Sequence, residues 1–218
     1  MLNRLRLAKR NFGLIGTAGL AISGLVISVL NWRGAYLTIS QHIALDMTSM
    51  IVFGVVSTIA TTLVAVCLLD YIARRWKLGR AFKCLAGMLT AGLYLIGWFP
   101  EQANNAASSL IHNAAALMVF AVAATMVMTL GALLWDRTGW ALKISGAVFV
   151  AVGLFGVITS SFFFEVFKDN IFWIEGSYLI TFYAFILSMV YSKDVSRGAW
   201  FKKHFHNLEK GLTKLIHK

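Results

Sequence analysis

Apolar runs of bilayer length, separated by short polar segments, restrict the folds open to this chain more than any other feature. The first, Phe12–Leu30, follows directly on a basic stretch. At about 1.5 Å of rise per helical residue, such a run approaches the roughly 30 Å of a hydrocarbon core. Lipid offers backbone N–H and C=O groups no partner, and a helix satisfies them internally. Comparable runs recur over residues 46–69, 84–99, 108–135, 144–164 and 174–191. The expectation is an all-α polytopic membrane protein. Residues 1–191 form a six-transmembrane-helix bundle, and residues 192–218 a basic amphipathic tail. With 59% hydrophobic and 13% charged residues, a separate soluble domain is not expected.

Charge placement orients the bundle. Arg4, Arg6, Lys9 and Arg10 precede the first run, as in a signal peptide. The run is long enough to span, however, and no small-residue cleavage site stands out after it, so a retained helix is expected. Every Lys and Arg except Arg33 and Lys168 falls on the N-terminus, the segments 70–83 and 136–143, or the tail. Asp46, Glu101, Glu165, Asp169 and Glu175 fall at the opposite ends. Positive charge on the inner side places both termini in the cytoplasm. The net charge of +11 is then a topological signature, and nucleic acid is not an expected partner. Sparse loops without a glycosylation sequon favour a bacterial cytoplasmic membrane over a eukaryotic endomembrane.

In the tail, Phe201, Phe205, Leu208, Leu212 and Leu215 recur at helical spacing, with Lys202, Lys203, Lys210 and Lys214 elsewhere on the wheel. This predicts a C-terminal amphipathic interfacial helix on anionic inner-leaflet lipid, or else a partner-binding helix. His204 and His206 read as surface residues. Cys67 and Cys84 imply no disulfide framework and read as small buried hydrophobes. Gly13, Gly16, Gly19 and Gly24 in the first helix, and Gly146, Gly153 and Gly156 in the fifth, suit close helix approach. Phe120, Met126 and Met128 read as packing or lipid-facing surface.

The segment Gly97–Phe120 holds the only proline, Pro100, and sets Glu101 and His112 at the mouth of two helices. Ser108 or Ser109 is the expected N-cap of the second of these. His42, Asp46, Glu101, His112, Asn113 and Glu175 converge on the outer side if the helices bundle. His42 and Asp46, four residues apart, are expected on one face. A titratable group at membrane depth is by default a functional candidate. The acid/base reading takes His112, Glu101 and Asp46 as catalytic, with Ser49, Ser108, Ser109 or a water as attacking group. His42, Asn113, Glu175 and Ser109 would bind a headgroup. A metal reading would use His42, Asp46 and His112 with one open position, but no compact metal motif supports it. The plainer alternative is that these residues cap helices and tie loops together.

No haem, retinal, nucleotide or other cofactor is expected. The function expected first is an extracytoplasmic polar pocket that binds or modifies a lipid headgroup, with acid/base acyl chemistry as its catalytic form. The alternative is a non-catalytic scaffold or accessory subunit with a protein partner, or a homo-oligomer. A small-solute transporter ranks third, because no charge sits mid-span and no inverted repeat is evident.

Three short motifs, Phe99-Pro100-Glu101, Ile111-His112-Asn113-Ala114-Ala115-Ala116 and Trp173-Ile174-Glu175-Gly176-Ser177-Tyr178, resemble the FRAG/DRAM/SFK group of six-helix membrane proteins, and more so its bacterial relatives. The resemblance covers the six spans. It implies cytoplasmic termini, and Glu101, His112, Asn113 and Glu175 as the outer polar positions. In some eukaryotic branches it also implies remodelling of glycolipid anchors or a lysosomal membrane role.

Overall fold

The computed structural model describes residues 2–102, 104–134 and 139–192. The basic tail, with the amphipathic helix expected there, lies outside the described residues. Helix α1 (Leu2–Leu30) leads through a polar loop to a short α2 (Ile39–Ile43). Helix α3 (Met47–Val66) continues through a π-helical stretch, Cys67–Ile72, into α4 (Ala73–Arg75). Then follow α5 (Arg80–Trp98), α6 (Ala106–Leu134), α7 (Trp140–Phe162), the short α8 (Phe164–Phe167), a 3-10 turn over Lys168–Asn170, and α9 (Ile171–Tyr191). No strand occurs among the described residues.

Among the described residues, five helical segments are long and apolar enough to cross a membrane: Leu7–Leu30, Met47–Arg75, Arg80–Trp98, Ala106–Leu130 and Ile171–Tyr191. Helix α7 is 23 residues long, but its described apolar stretch, Trp140–Gly156, falls short of that criterion. The second span runs past residue 69 because the π turn keeps the backbone helical to Arg75. The third begins at Arg80 rather than at residue 84, with Gly79 as N-cap.

The long helices form a closed ring in chain order: α1 on α3, α3 on α5, α5 on α6, α6 on α7, α7 on α9, and α9 back on α1. Glycine sets the closest of these approaches. A Cβ on Gly16 would stand 2.6 Å from the Ala60 carbonyl oxygen, so only a residue without one lets α1 lie this near α3. Trp76, Phe149, Phe182, Leu89, Met126 and Met189 fill the centre. Ile22, Ile59, Leu110, Leu117, Met128, Phe162 and Ile180 point outward. A surface this apolar suits a lipid surround, and the helices are compatible with an integral membrane location. Several serine and threonine hydroxyls on the spans fold back onto their own helices, as in Thr58 to Gly54 O (2.8 Å) and Thr125 to Ala121 O (2.8 Å). This keeps them paired where no water is at hand. Cys67 is buried as expected, but Cys84 is exposed: it occupies the outer face of the first turns of α5.

The two ends of the bundle differ in charge. At one end Asp70, within the π turn, pairs with Lys9 and Arg74. Arg75 donates to the Val190 and Ser192 carbonyls, which the end of α9 would otherwise leave open. The other end carries α2, Glu101, His112 and Glu175.

Candidate functional site

Helix α2 is the keystone of this second end. Its sequence, Thr38-Ile39-Ser40-Gln41, is a capping box: the Gln41 N–H donates to Thr38 Oγ1 (3.0 Å), and the Thr38 N–H donates to Gln41 Oε1 (3.0 Å). Two carboxyl groups reach this short helix from other elements. Glu175, from the second turn of α9, accepts the Ile39 N–H at Oε2 (2.8 Å). Glu101, from the turn after α5, accepts the Thr38 hydroxyl at Oε2 (3.4 Å), and its own N–H donates to Ser40 Oγ (2.7 Å).

His112 stands one turn into α6 and is buried. Its Nδ1 lies 2.9 Å from the Phe99 carbonyl and 3.5 Å from Ser40 Oγ. The carbonyl can only accept, so Nδ1 carries the proton and, in the neutral ring, Nε2 keeps the lone pair. Pro100 helps create this geometry. It ends α5, and the strand of chain beyond it passes the N-terminal turn of α6, where the Ser108 hydroxyl donates to Pro100 O (2.9 Å).

His112, Ser40 and Glu175 line one end of a cavity of about 220 Å³ within the ring. The remaining wall is mostly apolar, with Leu20, Phe53, Leu93, Val119 and Leu179 among its members, and Ser57 and Tyr183 contribute hydroxyls. Ile22 and Leu25 of α1 and Ile180 of α9 line the cavity and are also exposed, so its mouth opens on the seam between those helices. That seam faces the surroundings of the bundle side-on. No Lys or Arg occurs among the described lining residues.

Of the residues expected to converge, the fold brings together His112, Glu101 and Glu175 and separates the rest. His42 and Asp46 do not share a helix face. The chain breaks at Ala44–Leu45, leaving His42 in α2 and Asp46 as the N-cap of α3. His42 is fully buried, donates from Nδ1 to Thr38 O (2.8 Å), and stacks on Trp32 at 5.1 Å between centroids with Phe172 edge-on. It is a plug beneath the loop and does not line the cavity.

Asp46 is exposed, and its carboxylate accepts the Ser49 N–H (2.8 Å), which holds its pKa below the ordinary 3.8. Asn113 is exposed on α6. Ser109 donates to Gln102 O (2.8 Å) and accepts the Gln102 N–H (3.1 Å), bracing the loop. The cap of α6 is Asn105, whose Oδ1 accepts the Ser108 N–H (3.1 Å), and neither Ser108 nor Ser109 fills that role. Ser49 accepts from Asn31 Nδ2 (2.9 Å). The metal reading fails on geometry, since no three His, Cys, Asp or Glu side chains among the described residues cluster as a metal site.

Ser40 is the site residue that the outer ionisable groups did not reveal. Its signal was present in the capping box, which marks a helix start in the loop and so turns Ser40 inward one residue after Ile39. Ser40 is not set up as a nucleophile. Its oxygen accepts the Glu101 N–H, and the nearest imidazole nitrogen already holds a proton toward Phe99. The arrangement suits holding a molecule, with an apolar body in the cavity and a polar head at His112 and Glu175. No protein-family model, no curated protein and no solved structure matches this chain.

Proposed function

We propose that this chain is an integral membrane protein that holds a single amphiphilic lipid molecule, without chemistry on it. Its apolar chain lies in the cavity between the helices, and its head rests at His112 and Glu175. The observation that carries this reading is the cavity itself: an apolar chamber with one polar end and a mouth on the α1–α9 seam. Apolar cavities stay dry and take up apolar guests. An apolar cavity of about 150 Å³ binds benzene, so one of about 220 Å³ has room for a segment of alkyl chain. A side-facing mouth suits a ligand dissolved in the membrane better than one arriving from water. In this reading α7 serves as the sixth span, both termini are cytoplasmic, and the basic tail rests on anionic inner-leaflet lipid of a bacterial membrane. The resemblance to the FRAG/DRAM/SFK group, some of whose branches handle lipids, agrees with it.

Gly176 provides the test. It lines the cavity, and a Cβ placed there meets nothing within 4 Å. Gly176→Leu therefore fills the chamber without backbone conflict and raises helix propensity. Native mass spectrometry of protein extracted in mild detergent should show lipid retained by the wild type and lost from the variant, with unfolding temperature unchanged or higher. Equal lipid in both would sink the proposal and favour a scaffold whose polar corner only braces loops.

A further inference from the structure

The polar end of the cavity also says which kind of head it accepts, an inference that rests on the cavity being the lipid site. Two carboxyl groups, Glu175 and Glu101, approach the adjacent residues Ile39 and Thr38 from different sides. Glu175 Oε2 is engaged by the Ile39 N–H, and among the described residues no protein donor is assigned to Oε1. The Nδ1–H of His112 is committed to Phe99 O, so the acceptor nitrogen Nε2 is the atom left for a ligand. Ser40 adds a neutral hydroxyl, which can donate or accept. Lys and Arg are missing from the described lining.

A phosphate or carboxylate head would enter this end with no counter-charge and two carboxyl groups nearby. Burying an unpaired charge under those conditions is strongly unfavourable. A hydroxyl fits, donating to His112 Nε2 or Glu175 Oε1 and accepting from Ser40. An ammonium group fits for the same reason, since it is all donor and meets a carboxylate. We infer that the ligand is a membrane-dissolved amphiphile whose head donates hydrogen bonds and carries no negative charge, a long-chain alcohol or amine in chemical class.

The probes are three molecules with one and the same chain: oleyl alcohol, oleylamine and oleate. Each is titrated into delipidated wild-type protein in detergent, at a pH where oleate is ionised, and bound ligand is read by native mass spectrometry. Alcohol and amine should bind at least about tenfold more tightly than oleate. Glu175→Gln should remove the advantage of the amine while the alcohol still binds, and His112→Phe should weaken the alcohol. Gly176→Leu should abolish all binding alike. Oleate binding as tightly as the alcohol would overturn the assignment of the head and leave the cavity reading intact. Failure of every probe to bind the wild type, or equal binding of all three to Gly176→Leu, would overturn the cavity reading and this inference together.

Discussion

Phe99 and Ser40, neither of them ionisable, decide what His112 can do. By accepting the hydrogen bond from Nδ1–H, the Phe99 carbonyl leaves this cavity-lining imidazole with Nε2 as its single free acceptor. His112, Glu101 and Glu175 stood out in the chain because each is an isolated titratable residue at the end of an apolar run. Which of their atoms were available was not legible there, since that depends on a carbonyl and a hydroxyl brought from other helices. His42 illustrates the converse. It looked like Asp46's partner, but burial against Trp32 and Phe172 makes it a packed aromatic ring.

Tyr178 offers a further check at this scale. Its hydroxyl is buried with no hydrogen-bond partner among the described residues, and its ring packs against Phe120 at 4.2 Å and Phe149 at 4.8 Å between centroids. Tyr178→Phe keeps those ring contacts and removes a desolvated polar atom, so stability should be unchanged or higher by about 1 kcal/mol. A clear drop in the unfolding temperature in detergent would mean that the hydroxyl has a partner after all.

Helices were the most readable elements, because a run of apolar residues cannot lie in lipid with its backbone unpaired. Their ends were read less well. The π turn carries α3 on past Cys67, and Asn105 supersedes the two serines as the α6 cap, because capping depends on where the chain turns. Helix α2 falls in the segment between the first two apolar runs and is marked in the sequence only by its capping-box residues, since five residues carry no measurable hydrophobic period.

The small-residue pattern of α1 was legible, but not which of its glycines matters. Gly16 faces backbone, with Ala60 O 2.6 Å from a would-be Cβ, whereas at Gly19 the nearest atom is the Ala60 Cβ at 3.4 Å. Gly16→Ala should push α1 from α3 and cost about 1–3 kcal/mol through overpacking. Gly19→Ala should be neutral or stabilising by up to about 1 kcal/mol, as helix propensity favours alanine. Thermal unfolding of the two variants side by side distinguishes them, and equal losses would contradict the α1–α3 register.

For the whole molecule, the asymmetry of charge predicts orientation. Asn105 and Arg80 lie at opposite ends of α5 and its connection to α6. With Cys84→Ser removing the exposed thiol and Cys67 left buried, a membrane-impermeant maleimide added to intact cells should label Asn105→Cys and spare Arg80→Cys. The opposite pattern would invert the topology and place the His112 end in the cytoplasm.

The sequence by itself determined that the chain is helical, that its helices are apolar enough to suit a membrane, and which ends of the apolar runs hold the acidic and imidazole groups. These follow from the length of apolar runs and the position of charges, both of which are local properties. Only the tertiary structure decided that the ring closes α9 onto α1, that a chamber remains inside it, and that His112 and Glu175 meet at one end of that chamber while Asp46, Asn113 and His42 stand apart. The reason is that a cavity and its polar end are made by residues from six helices and Pro100. Their relative depth and rotation come from packing across the bundle, which no single stretch of residues encodes.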